Sequence, residues 1–133
     1  MESRILKIAQ FIASKRHKPF VWGKNDCHTF VLELNDILYN ENSVAAIYEK
    51  YNNIKGCYRL AKTIDAVEYM QSLGYESAKQ IMNGDVILVK HKQGYYSHVA
   101  LDGNLYSMEP DRGLVVANKT AFKKIDYTVW RRK

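Results

Sequence analysis

At Gly74 the hydrophobic period of the chain changes, and this constrains the fold more than any single motif. Before it, apolar residues recur at helical spacing: Ile5, Ile8, Phe11 and Ile12, then Phe30, Val31, Leu34 and Leu38, then Leu60, Ile64, Val67 and Met70. After it, short β-rich runs alternate with turn residues, at 86–89, 95–101, 105–108, 113–116 and 127–130. The spacing predicts helices over 3–15, 27–39, 44–51 and 57–73. Ser3 is placed to cap the first, and Pro19 disfavours helical geometry in the residue before it. The expected class is α+β, with helices in the N-terminal half packed on a C-terminal antiparallel β-meander. Asp102-Gly103 is its strongest hairpin signal, and Arg131-Arg132-Lys133 reads as a basic tail.

With 133 residues, the chain is expected to form one domain over 1–133, large enough for a single core. A hydrophobic fraction of 47% with 26% charged residues excludes wholesale disorder. Lys and Arg number 20 against 14 acidic residues, a net charge of +6. That balance favours anionic partners such as nucleic acid, acidic lipid or an anionic cell-wall polymer, and does not choose among them. No nucleic-acid-binding motif accompanies the charge, so specific nucleic-acid binding ranks last. The N-terminal residues lack the pattern of a secretory signal, and no apolar stretch is long enough for a membrane span. Synthesis in the cytoplasm is expected, without membrane insertion. Cys27 and Cys57 are then expected as reduced thiols, Cys57 as a small buried hydrophobe.

The stretch from Phe20 to Val31 carries the most chemistry. An aromatic run turns at Gly23, Asn25 and Asp26 offer helix caps, and Cys27 follows at once. A cysteine in the first turn of a helix meets unpaired N–H groups and the positive end of the helix dipole, which favour the thiolate. The thiolate is the nucleophilic form. Such a nucleophile needs a base, usually histidine. His17 lies in a basic loop. His28 points about 100° from Cys27 on a helix. His91 sits among lysines at a strand end, which suggests solvent. His98 lies mid-strand before a tight turn, where packing near the start of the Cys27 helix would aim it at the thiol. A hydrogen-bonded structural histidine is the plain alternative. A third polar group would come from Ser107 or Glu109 on the next strand. Cys27, His28 and His98 lack zinc-ligand spacing, so no metal is expected, and no cofactor is called for.

In this order and spacing, Asp26-Cys27, Gly84-Asp85-Val86 and Ser97-His98-Val99-Ala100 resemble the NlpC-type cell-wall peptidases. The nearest likeness is to a small branch encoded among bacteriophage tail genes. Its Phe-x-Trp-Gly-x-x-Asp-Cys opening matches Phe20, Trp22, Gly23, Asp26 and Cys27, and Tyr58-Arg59 and Trp130-Arg131 also recur. The resemblance covers roughly residues 18 to 132 and implies a trimmed papain-like fold.

The resemblance also implies a Cys27–His98 pair that cleaves amide bonds in peptidoglycan stem peptides, with Ser107 or Glu109 as a weak third member. It implies oxyanion or capping roles for Asp26 and Asn25, and a substrate groove walled by Trp22 and Tyr96. Other tail proteins become candidate partners, and the expected location is the host cytoplasm, then the virion tail. Two positions depart from the family: His28-Thr29 replaces the common Ser-Gly, and a serine third member would hold His98 weakly. A structural tail or hub component that keeps the fold and works by docking is the competing expectation.

Overall fold

The computed structural model describes residues 3–132, so Lys133 of the expected basic tail lies outside the described residues. Helix α1 (Arg4–Ser14) begins at Ser3, whose Oγ accepts from the Leu6 N–H at 3.0 Å, and buries Ile8, Phe11 and Ile12. Helix α2 (Cys27–Tyr39) begins in a capping box formed by Asp26 and Thr29 and ends at Asn40 in the left-handed region. Two contacts lock α1 to α2. Phe11 and Phe30 rings meet at 5.1 Å, and the buried Lys15 ammonium pairs with Glu33 at 2.8 Å.

Two helical expectations change, both because short polar side chains capture backbone donors. The segment predicted as helix over 44–51 forms only a 3-10 turn, Ser43–Ala46. The Asp36 carboxylate accepts from the backbone N–H groups of Ser43 and Val44 at 2.8 and 3.0 Å, which bends the chain back onto α2. The long helix predicted over 57–73 is two: α3 (Ile54–Ala61), capped by Asn53, and α4 (Ala66–Ser72), capped by Asp65. Asp65 accepts from the Glu68 N–H at 2.9 Å, starting a new helix where the apolar stripe alone suggested continuity.

Six strands follow: β1 (Tyr75–Ala78), β2 (Val86–His91), β3 (Gly94–Leu101), β4 (Asn104–Glu109), β5 (Gly113–Asn118) and β6 (Tyr127–Arg132). All neighbours are antiparallel, in the order β1-β6-β2-β3-β4-β5, and the fold is α+β. Strands β2 to β5 form the expected meander, but β6 returns to lie between β1 and β2. Strand β1 escaped the sequence pattern because Tyr-Glu-Ser-Ala has one large apolar residue, the buried Tyr75. Its pairing with β6 makes it a strand.

Alternation divides the sheet into two packed faces. Val86, Leu88, Val99, Leu101, Met108 and Trp130 join α1 and α2 residues in the larger cluster. Ile87, Ala100, Leu105 and Val129 pack on the other face with Phe122, from a short 3-10 turn (Lys119–Phe122).

The expected basic tail is no tail at its first two positions. Arg131 places Nε and Nη2 on the two oxygens of Asp85 at 2.9 and 2.7 Å, and Asp85 is 1% exposed. Arg132 forks onto Glu41 at 2.6 and 2.7 Å. The Gly-Asp-Val and Trp-Arg motif pieces therefore meet across the sheet as a bidentate ion pair, its carboxylate buried and its guanidinium partly exposed.

Candidate functional site

The turn before α2 is held from several sides. Val21 and Asn25 exchange backbone hydrogen bonds at 3.1 and 2.8 Å, with Gly23 between them at φ 78°. A Cβ on Gly23 would lie 2.1 Å from the Tyr51 carbonyl oxygen, so the close approach of the 49–53 segment requires glycine. The Glu49 N–H donates to the Gly23 carbonyl at 2.9 Å.

Asp26, 1% exposed, is the hub. Its Oδ1 accepts from the His28 and Thr29 N–H groups at 3.0 and 2.9 Å. Its Oδ2 accepts from the Gly23 N–H at 2.8 Å and the Tyr51 hydroxyl at 2.5 Å. Burial, with the Asp26 charge adding to it, pushes the Tyr51 phenol far up and keeps it a donor.

Cys27 opens from this hub into a cavity of about 400 Å³, whose lining includes Trp22, Asp26, Tyr96, His98, Ser107 and Glu109. The cavity forms because β3 and β4 part. Their backbone register runs inward from Val99↔Tyr106 toward the hairpin. Beyond it, the Ser107 Oγ donates to the Ser97 carbonyl at 2.6 Å and takes the place of a ladder rung. Asn25 is not in this lining. Its Nδ2 donates to the Pro19 carbonyl at 2.7 Å, while its Oδ1 is buried without a partner.

The electrostatics of the sulfur run against the expectation from the helix end. Cys27 keeps partial exposure toward the cavity, yet burial pushes its thiol up to about 12, and the adjacent Asp26 charge adds to the shift. The backbone N–H groups of Ser97 and Cys27 itself act in the opposite direction without offsetting it. The resting group is a thiol at neutral pH.

His98 shares its sheet face with Ala100 and with Ile87, which lies directly opposite it. That is the face away from α2. Its ring meets Phe122 edge-on at 5.2 Å, its Nδ1 is buried without a hydrogen bond, and burial pulls it down to about 4. It is a neutral imidazole at pH 7. Among the described residues no hydrogen bond joins His98 to Cys27, Ser107 or Glu109. Ser107 is committed to Ser97, and the exposed Glu109 lies 3.4 Å from Arg112. The structure gathers the sequence-predicted groups around one space and leaves their bonds open.

Two neighbours, Cys57 and His91, were read differently from sequence, and a third, His28, gains a partner the sequence did not show. His28 shares a 2.7 Å hydrogen bond with the Ser97 hydroxyl. Burial lowers its pKa, but the Cys57 side chain and the Asp26 charge outweigh that and leave it raised. Cys57 is half-buried and lines the same cavity, where a purely apolar role had been expected. His91, expected in solvent, is half-buried between Tyr58 and Tyr96, with ring centroids 5.8 and 4.3 Å away. The flanking tyrosines were visible in the sequence, but their meeting required α3 to pack beside the β2–β3 hairpin.

The site therefore offers a thiol, a neutral imidazole and one exposed carboxylate, Glu109, around a space large enough for a few residues of an extended chain. Among the described residues no group of three or more His, Cys, Asp or Glu side chains could hold a metal ion, and no helix is long and apolar enough to cross a membrane. No curated protein matches the sequence. A family model described as a domain of unknown function, DUF6950, matches residues 3–126, nearly the whole chain, and the protein belongs to that family.

Proposed function

We propose that this protein is a thiol amidase of papain-like, NlpC-type architecture that cleaves peptidoglycan stem peptides, carried in a bacteriophage tail. The observation that carries the reading is that Cys27, at the first turn of α2, and His98, on the β3 face turned away from that helix, both line one cavity. A thiol with a raised pKa and an imidazole with a lowered one are in the protonation states from which such a reaction starts. As the peptide carbonyl is engaged, the Cys27 proton passes to His98 and sulfur forms a bond to the carbonyl carbon. The C–N bond then breaks, with His98 returning the proton to the departing amine. Water, deprotonated by His98, releases the acyl group and restores the thiol. In this reading the Cys27 backbone N–H, in the first turn of α2, binds the oxyanion. Peptide binding must draw the sulfur and the ring together, since no hydrogen bond joins them in the free chain. Trp22 and the half-exposed Tyr96 wall the groove. The test is release of fragments from purified peptidoglycan or a synthetic stem peptide. Wild type is expected to release them and Cys27→Ala none; no release by wild type, or equal release by the variant, overturns the reading.

Two observations favour a second reading, a docking component of the tail. His98 Nδ1 has no partner to orient the ring, and Ser107 is turned to Ser97. Stable co-purification with tail subunits, unaffected by Cys27→Ala and without peptide release, supports docking over catalysis.

A further inference from the structure

A second concave surface adjoins the Cys27 cavity and carries a different chemistry. It is an open groove of about 880 Å³ between the 21–24 turn, the 49–53 segment and the first turns of α3. Trp22 lines both spaces, so the two adjoin at its indole. Lys24, Lys50, Lys55 and Arg59 line the groove, against the single carboxylate of Glu49. All four cations are exposed, and among the described residues none is engaged in an ion pair or side-chain hydrogen bond. Elsewhere the chain does pair its cations where structure requires it, as Lys15, Arg131 and Arg132 show. The groove floor is fixed by the Gly23–Glu49 backbone bond and by the close approach of Gly23 to Tyr51. Its cations are thus presented on a set frame.

We infer that this groove binds a repeated oxyanion, phosphodiester or carboxylate, on the same wall polymer whose peptide enters the Cys27 cavity. Several unpaired cations along one open channel suit a flexible polyanion, with the guanidinium of Arg59 able to fork onto one oxyanion and the lysines acting as point charges. The groove would hold the polymer by charge while Trp22 guides the peptide branch toward the thiol. The inference rests on the amidase reading for its occupant, and its test separates the two.

The Cys27→Ala protein, which leaves the polymer intact, is titrated with poly(glycerol phosphate), polygalacturonate and linear double-stranded DNA, each at low and at physiological salt. Its Lys50→Gln, Lys55→Gln, Arg59→Gln derivative is compared with a control carrying Lys119→Gln, Lys123→Gln and Lys124→Gln, which removes the same charge elsewhere. The groove substitutions are expected to weaken binding of at least one wall-type polyanion about tenfold and to flatten its salt dependence, with the control near the parent. The preferred probe tells phosphodiester from carboxylate. Equal losses in both triple variants, or tighter binding of DNA than of either polymer, overturn the inference. In parallel, a soluble stem peptide without polymer is offered to the groove variant with Cys27 restored. Unchanged cleavage alongside lost polymer binding supports both proposals. Lost binding with no cleavage even by wild type leaves the groove standing and removes the amidase.

Discussion

Replacing Asp26 by Asn probes the hub on which the candidate site is built, with almost no change of shape. The carboxylate accepts four hydrogen bonds while 1% exposed. An amide can keep its oxygen toward the His28 and Thr29 N–H groups and preserve the cap. Its NH₂ then faces the Gly23 N–H, donor against donor, and the Tyr51 hydroxyl loses its charged acceptor. Two charge-assisted bonds at roughly 1.5 kcal/mol or more each give a destabilisation of about 3 kcal/mol, or a fall in Tm of about 10 °C for a domain of this size. Tyr51→Phe removes one of those bonds alone. The double variant should fall short of the sum of the singles by about 1 kcal/mol or more, because both act on Oδ2. The same substitution removes the negative charge that helps raise Cys27, so the thiol pKa should drop below about 12. Rates of iodoacetamide alkylation against pH, resolved by peptide mass to separate Cys27 from Cys57, read that shift. An Asp26→Asn protein within about 0.5 kcal/mol of wild type, strict additivity with Tyr51→Phe, or a thiol pKa that stays or rises would refute the reasoning.

The half-buried His98 should make stability depend on acid. Its folded pKa, about 4, is depressed from 6.5, so below pH 6.5 the unfolded chain binds the proton more readily. The contribution is complete above pH 6.5 and is lost as pH falls toward 4, by about 3 kcal/mol at most; urea melts across that window should show it, and His98→Gln should flatten the slope. Gly23→Ala forces a methyl group against the Tyr51 carbonyl at a positive φ. It should cost about 2 kcal/mol or more in urea unfolding, whereas Gly103→Ala, with open space around it, should cost only the strain of its φ.

The parts of the fold legible in the sequence were those set by local periodicity and turn chemistry. The switch at Gly74 announced an α+β chain, and α2 ran over the expected residues because Asp26, Cys27 and the apolar stripe agree. What failed was decided partly by single polar side chains that override an apolar stripe, and partly by contacts distant in sequence. Nothing local separates α3 from α4 except Asp65, and the stripe through Ile64 outweighed it. Strand β1 exists through its ladder with β6, and β6 also pairs with β2, with Arg131 meeting Asp85 across 46 residues. At the candidate site, Cys27, His98, Ser107 and Glu109 could be picked by residue type and order. The direction of the Cys27 shift could not, because helix-end N–H groups are visible in a sequence and burial beside Asp26 is not. Tyr51 was missed for the same reason: its phenol reaches the hub from a segment 25 residues away.

The position of β6 bears on how the chain assembles during synthesis. Until residues 127–132 have left the ribosome, β2 has no partner on one side and β1 has none at all. The nascent chain can form α1, α2 and the β2–β5 meander, but it carries an open, apolar β2 edge and an unpaired Asp85 in the meantime. Closure then depends on threading one late strand between two early ones, a step of high contact order. Vectorial synthesis therefore leaves a window in which β2 can recruit a strand from another chain, and premature termination before Tyr127 would make that window permanent.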